Sequence, residues 1–501
     1  MRNLLKPLFT SLTMALVALV GLSSCENNEK YDFVFEMPGS IVTEPGTVIE
    51  LPIVARNISS VSVSSHPSGW EVNTIDVKNW TVKVTAPTKY TAEDATIQEN
   101  GILKLTGYTS AGTMVSATCY LSLLNDAIDL SAESSNCYAV WQKDTRYTIN
   151  VTRYAEQAQS SFTPDRVELV WQSAKDLIQY HSYNKEQGTF TFFVGHEDIK
   201  DKNDKVTGTR MPDGSALVAA YNAAGDVIWS WHIWLTDSDI EATAIKTAAG
   251  IFMDRNLGAY ANSNGNTSAE KILEGYGLYY QWGRTEPFNR PLHYNMANNS
   301  DKVVYDAANA FIRLKIVSLE KNGAEVGTQQ YAKNHPTTFI LGAKDYSYNW
   351  IYSADVDNTV WGATGTKQKG MNDPCPRGWA VPTSQHFALL DIDSADDSQP
   401  SAAVKEQFGW FLNDGNGVKM FMPGAGRRSF ENGVFTNMNN YEGATPVPWI
   451  GYYWTSDFGA NNTAKSLFFD LNTTRAVNNR YDAAKEMYRA NAMQIRCVKI
   501  E

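Results

Sequence analysis

The chain has 501 residues, enough for two to four domains that each bury a core. A hydrophobic share of 43% with 19% charged residues is that of ordinary globular protein and argues against extended disorder. The net charge is −11 and no dense basic run follows the leader, which speaks against nucleic acid and anionic membrane surfaces as partners.

Arg2 and Lys6 precede an apolar stretch, LTMALVALVGL (12–22), that is too short to span a bilayer. The stretch ends in LSSC, and Leu22, Ser23, Ser24 and Cys25 resemble the bacterial lipobox. Residues 1–24 are then a lipoprotein signal peptide, and Cys25 becomes an acylated N-terminus, since several acyl chains anchor where one does not. The alternative is an ordinary signal peptide with a chance cysteine. Residues 25–30 form a polar, acidic tether of the kind that resembles a surface-export signal in Bacteroidetes lipoproteins. The expected location is the outer membrane, lipid-anchored and facing outward.

From 31 to 125, short β-branched runs such as VIELPIVARN and GILKLTGYTS alternate with Pro, Gly, Asn and Ser clusters. This spacing predicts an antiparallel, immunoglobulin-like β-sandwich in which Trp70 and Trp80 are core rings. Residues 126–250 repeat the style as a second β-domain. In VIWSWHIWL (227–235), Trp229, Trp231, Ile233 and Leu235 share one face, and Ile228, Ser230, His232 and Trp234 the other. Both faces are largely apolar, so the stretch reads as a central strand packed on both sides, with His232 a hydrogen-bonded core residue. From 251 to 501 the texture turns to Gly, Asn and aromatic-rich loops. Brief helices are predicted over 268–275, 384–392 and 401–411, which points to an α+β domain.

Seven phrases in this last region occur in order: IFMDRNLGA, GLYYQWGRTEPF, NDPCPRGWAVPT, FMPGAGRRSFENGVF, GYYWTSDFG, AKSLFFDL and AMQIRCVK. They resemble the Fibrobacter succinogenes major paralogous domain, a family of Bacteroidetes surface lipoproteins, over about half of the chain. SSNCYAV and DVIWSWHIWLTD more weakly resemble the β-domain of fimbrillin-like proteins. The resemblance implies a C-type-lectin-like fold in which a terminal strand returns beside the start and PCPRGWAVPTSQHFALL enters the first helix. Thr383 would cap that helix. His386 stands where the family often has an acidic residue, so a reciprocal capping box is not expected.

Within that reading Cys375 and Cys497 form a disulfide, the alternative being two buried thiols. Closing a loop of this length could contribute about 4 to 5 kcal/mol on the chain-entropy model. Pro374 and Pro376 would hold Cys375 extended, facing a strand. With no histidine beside either cysteine, structure is preferred to nucleophilic chemistry. Cys119 and Cys137, 18 residues apart in consecutive β-domains, are a candidate second bridge, with two unlinked thiols equally open.

The sequence contains neither HExxH nor CxxC, and HEDIKDKND (196–204) lacks the glycine and closing glutamate of a calcium loop, so no metal or cofactor is expected. TEPFN (285–289) superficially matches the Glu-Pro-Asn of sugar-binding lectins, but it precedes the first helix, and calcium-dependent sugar binding is not carried over. A sugar platform would come from Trp282, Trp350, Trp361, Tyr441, Trp449 or the 452–454 rings, with Trp361 and Trp449 preferred for their polar surroundings. Arg427 and Arg428 are candidate contacts to an acidic glycan. The expected function is non-enzymatic adhesion or recognition at the cell surface, with a glycan or a pilus or surface protein as partner. The alternatives are polysaccharide capture for a glycan-uptake system and an enzyme of unrecognised type in the C-terminal domain.

Overall fold

The computed structural model describes residues 33–88, 100–123, 127–156, 160–266, 268–293, 304–352, 356–362, 368–392, 408–436, 450–470 and 480–500. The fold is mostly β, with 46% strand against 7% helix. The chain divides into two compact units, Met1–Asp126 and Ala127–Glu501.

The first unit is a β-sandwich. One sheet runs in the order Ser40–Thr43, Met114–Leu123, Asn100–Tyr108, Ser60–Ser65, and the other Val48–Pro52, Thr81–Thr85, Glu71–Asp76. Alternation sends Leu51, Val82 and Val84 of one sheet against Leu103, Leu105, Cys119 and Leu121 of the other. Trp70 is fully in this core. Trp80 is half-buried against it, on a backbone with φ of 51°.

The second unit opens with another pair of sheets. A four-stranded sheet (Ile128–Asp129, Thr145–Asn150, Thr189–Val194, Gln179–Asn184) shares a core with a six-stranded one. The six strands run Cys137–Val140, Val227–Leu235, Gly214–Tyr221, Arg166–Gln172, Val304–Tyr305, Phe311–Ile312. Val227–Leu235 is packed on both faces, as its composition requires. Trp229, Trp231, Ile233 and Leu235 enter the core between the sheets. On the opposite face Trp234 joins a second core with Leu278, Trp282, Trp379 and Trp454, and Ser230 hydrogen-bonds Glu286 at 3.0 Å.

That double burial corrects the expected boundary at 250. Val304–Tyr305 joins the six-stranded sheet through Gln172 and Tyr305, and Arg255 donates to the Thr236 hydroxyl and the Tyr260 carbonyl, both at 2.8 Å. Residues 127–250 and 251–500 therefore share sheets and cores. Across residue 250, Gly250–Phe252 lies between Ile245–Thr247 and Val498–Lys499, and the last of these also pairs with Trp379–Ala380.

Helices form at Ala269–Glu274 and Ser384–Ala388, both inside predicted spans. The third predicted span is different: residues 401–407 lie outside the described residues, and Gly409–Asn413 is a strand paired with Lys419–Pro423. Here tertiary pairing overrides local helix propensity. His386 also does what an acidic residue was thought necessary for. Its Nδ1 accepts the Thr383 N–H at 3.1 Å, completing a capping box.

Candidate recognition groove

NDPCPRGWAVPT organises the second unit. Cys375 and Cys497 are bridged, with Cα atoms 6.1 Å apart. Cys375 sits at a bend rather than in an extended run, and side chains hold it there as much as its prolines do. Asp373 Oδ1 accepts the Cys375 N–H at 2.9 Å and Oδ2 accepts the Val381 N–H at 2.8 Å. Buried Lys369 donates to the carbonyls of Cys375, Pro376 and Trp379, each at 2.8 Å, and its Nζ lies 3.3 Å from Glu156 Oε2. Burial raises the Asp373 carboxyl to about 6, partly offset by Lys369. Trp379 donates its N–H back to the Pro376 carbonyl, closing a turn whose third residue, Gly378, has φ of +75°.

Pro376, Arg377 and Trp379 then form one wall of a groove of about 420 Å³, a volume typical of ligand sites. Asp129, Leu130, Glu133 and residues Cys137, Tyr138 and Ala139 of the strand Cys137–Val140 form another, and Asp239, Ile240 and Glu241 a third. Trp141, 38% exposed, stands at its side. The groove runs along an unpaired strand edge, because Cys137–Val140 has Val227–Leu235 on one side only. The pairing is parallel, with the carbonyls of Asn136 and Val140 accepting from His232 and Thr236. The alternating backbone groups of Cys137 and Ala139 therefore face away from the sheet. The Ser135 hydroxyl satisfies both outward groups of Cys137, at 3.3 and 2.7 Å. Those of Ala139 have no described partner.

Charge in the groove is one-sided, with four carboxylates lining it against the single guanidinium of Arg377. Arg377 pairs with Glu133 at 3.0 Å, and Lys499, outside the lining, pairs with Glu241. Glu241 also accepts the Trp379 indole N–H at 2.6 Å. Asp129 accepts from the hydroxyl and backbone N–H of Ser131, and Asp239 from the backbone N–H of Glu241, so their charges face the groove with no described cation beside them. Hydrogen bonding from Ser131 lowers the Asp129 pKa, which keeps it ionised.

A cysteine and a histidine meet behind this groove. Cys137 Sγ lies 3.3 Å from His232 Nδ1, and His232 Nε2 lies 2.9 Å from the Ser215 hydroxyl. Burial drives the His232 pKa down to about 3 and the Cys137 thiol far up, so both are neutral. A neutral thiol beside a neutral imidazole is a hydrogen-bonded core pair, not an activated nucleophile.

Several sequence expectations change here. Cys119 and Cys137 are both free thiols, each buried in the core of its own unit, which replaces the candidate second bridge. Trp361 is buried, not a platform: its ring lies 5.5 Å from that of Trp282 and its indole donates to the Arg284 carbonyl. Trp282, Trp350, Tyr452, Tyr453 and Trp454 are buried too. Arg428 is buried, donating to the Gly433 carbonyl and stacked 4.0 Å over Phe435. Arg427 is half-buried over Tyr452 and donates to Asn491 at 3.0 Å. Cys25, Tyr441 and Trp449 lie outside the described residues. HEDIKDKND supplies the strand Glu197–Lys200 and the turn of a hairpin whose other strand is Val206–Arg210. Sequence reasoning missed Trp141 and the acidic residues 129, 133, 239 and 241; the available signal was a strand signature followed by an aromatic in a polar turn.

No family model matches the chain, and no curated protein matches it. Solved immunoglobulin-type structures are among its structural matches. The titin Ig tandem domains share 12% identity over 41% of this chain and 96% of theirs, at a TM-score of 0.14. The insect immune protein hemolin shares 14% over 41% of this chain and 51% of its own, at 0.15. SporoSAG from Toxoplasma gondii shares 8% over 40% of this chain and 96% of its own, at 0.14. At these scores none bears on fold or function.

Proposed function

We propose that the chain is a non-enzymatic surface lipoprotein for adhesion or recognition, anchored in the outer membrane through Cys25, and that it belongs to the major paralogous domain family. The lipobox supports the anchoring, and the seven ordered phrases support the family. The strand Val498–Lys499 returning beside Gly250–Phe252 is consistent with the lectin-like reading of the last 250 residues. The recognition site in this proposal is the groove beside Cys137–Val140, and its ligand is an extended segment of a partner protein carrying Lys or Arg side chains.

The observation that carries this is the outward backbone of Ala139, unpaired on a strand edge inside a groove of net negative charge. An extended peptide can complete the strand by main-chain hydrogen bonds while its basic side chains meet Asp129 and Asp239. Glycans satisfy only part of this, through stacking on Trp141.

The test presents the mature chain to a peptide array and a glycan array in parallel. Binding of basic extended peptides that weakens at least tenfold in Asp129→Asn/Asp239→Asn, and falls again with Ala139→Pro, supports the proposal. Selective glycan binding lost in Trp141→Ala transfers the groove to the polysaccharide-capture reading. Blank results on both arrays sink it.

A further inference from the structure

The first unit carries a strand edge that nothing guards. Ser60–Ser65 ends the four-stranded sheet, with Asn100–Tyr108 on one side and no described strand on the other. Its outward backbone groups have no described partner, unlike those of Cys137 in the groove, which Ser135 satisfies. The other edges of these two sheets are protected in ordinary ways. Val48–Pro52 carries Glu50 and Pro52, Glu71–Asp76 begins and ends on carboxylates, and only Ser40 is exposed in the short Ser40–Thr43. From Asn57 to Trp70, by contrast, the chain has no Asp, Glu, Lys or Arg.

The edge reads the same in both directions: Ser60, Val61, Ser62, Val63, Ser64. Turned about Ser62, a second copy lays Val61 against Val63 twice over, with serines opposite serines. The two valines share the inner face of the sheet, since Val61 lies opposite Gly107 and Val63 opposite the core residue Leu105. Val63 is nonetheless 38% exposed, with no described strand beyond it. On the outer face the Ser64 and Ser62 hydroxyls turn back along the sheet to Thr106 and Tyr108, at 2.5 and 3.5 Å, and leave the edge open. A bulge between Val63 and Ser65 ends the regular stretch, so the pairing surface is short.

We propose that two copies of this chain pair antiparallel through Ser60–Ser64, around a two-fold axis at Ser62. A charged edge would repel its own copy across such an axis, whereas this one carries no charge. The partner's strand covers the exposed valine, and the unpaired backbone groups of the two edges satisfy each other. A contact this short is weak in solution. Under the anchoring proposed above, copies confined to one membrane surface meet often enough to gather in pairs. The proposal does not depend on the groove.

The experiment is oxidative trapping of the mature chain with a cysteine at position 62. Directly opposite residues in an antiparallel ladder have Cα atoms roughly 4.5 or 5.5 Å apart, within the span of a disulfide. Ser62→Cys should form a disulfide-linked dimer at least tenfold faster than Val48→Cys, a site 55% exposed on the other sheet, and adding Val63→Lys should remove that advantage. The wild-type chain, whose Cys119 and Cys137 are buried, supplies the background. Equal rates for Ser62→Cys and Val48→Cys, or trapping untouched by Val63→Lys, overturn the proposal. So does a cysteine-bearing strand peptide of unrelated sequence trapped as fast as a second copy, since the edge then takes any strand. Ser62 and Val63 are both exposed, so the variants should unfold at the wild-type denaturant midpoint. The comparison of Ser62→Cys with Val48→Cys decides the matter even where Val63→Lys does not fold.

Discussion

The two units solve the same packing problem by opposite means. In the first, one aliphatic core lies between two alternating sheets, and Thr43 and Ser122 are its only buried polar side chains among the described residues. In the second, aromatic cores are interleaved with buried Arg255, Arg284, Lys369, Asp373, Glu286 and Arg496. Regular strands satisfy their own backbone, so the first unit needs little else. The long loops of the second unit leave carbonyls and N–H groups inside the protein, and buried charged side chains supply the missing partners. Arg284 reaches the carbonyls of Thr338 and Ala332, and Arg496 those of Met253 and Phe421.

This contrast breaks most sharply at the disulfide. Cys375→Ser/Cys497→Ser should cost the second unit about 4 to 5 kcal/mol on the chain-entropy model while the unfolding of the first unit is unchanged. Denaturant unfolding followed by probes in each unit measures both, and a shared loss would show that the units are not energetically separate. Next comes Lys369→Met, which strands three carbonyls and Glu156; about 3 kcal/mol should be lost, again from the second unit alone. A variant as stable as wild type would mean the loop around Cys375 is held by its prolines after all.

The smallest expected effect depends on pH. The Asp373 carboxyl is raised in the fold, to about 6 from 3.8, so its ionised form is disfavoured there. Its contribution is fully present below about pH 4 and is lost as pH rises through about 6, an effect on the order of 3 kcal/mol at most. Comparing wild type with Asp373→Asn from pH 3.5 to 7 should show that difference narrowing in the second unit's stability and nowhere in the first. A difference independent of pH would remove Asp373 from the account.

The same contrast decides what the sequence could show. Alternation is a local signal, so the sandwich of the first unit and the two-sided strand at 227–235 were legible. The cap at Thr383 was legible for the same reason, as local chemistry. Trp361 was misjudged because its neighbours are polar and glycine-rich, yet Gly362, with φ of +141°, turns the chain so that the ring goes inward. Lys369 and Asp373 give no signal in the sequence, since nothing in their neighbourhood says that Glu156, more than two hundred residues earlier, comes within reach. The groove was hidden on similar grounds, being assembled from residues near 130, 240 and 377.

The closing role of residues 492–499 bears on how the second unit forms. Ala492–Met493 pairs with Tyr280–Gln281, Arg496 grips Asn256, Cys497 makes the bridge, and Val498–Lys499 completes the sheet with Gly250–Phe252 and Trp379–Ala380. A ribosome delivers this stretch after all the others it touches. Until it arrives, the segments near 252, 280 and 379 have no shared partner, so the second unit cannot close before residues 492–499 have been made. Under the export proposed above, such lateness is an asset: the unit locks only after residues 492–499 have followed the rest of it across.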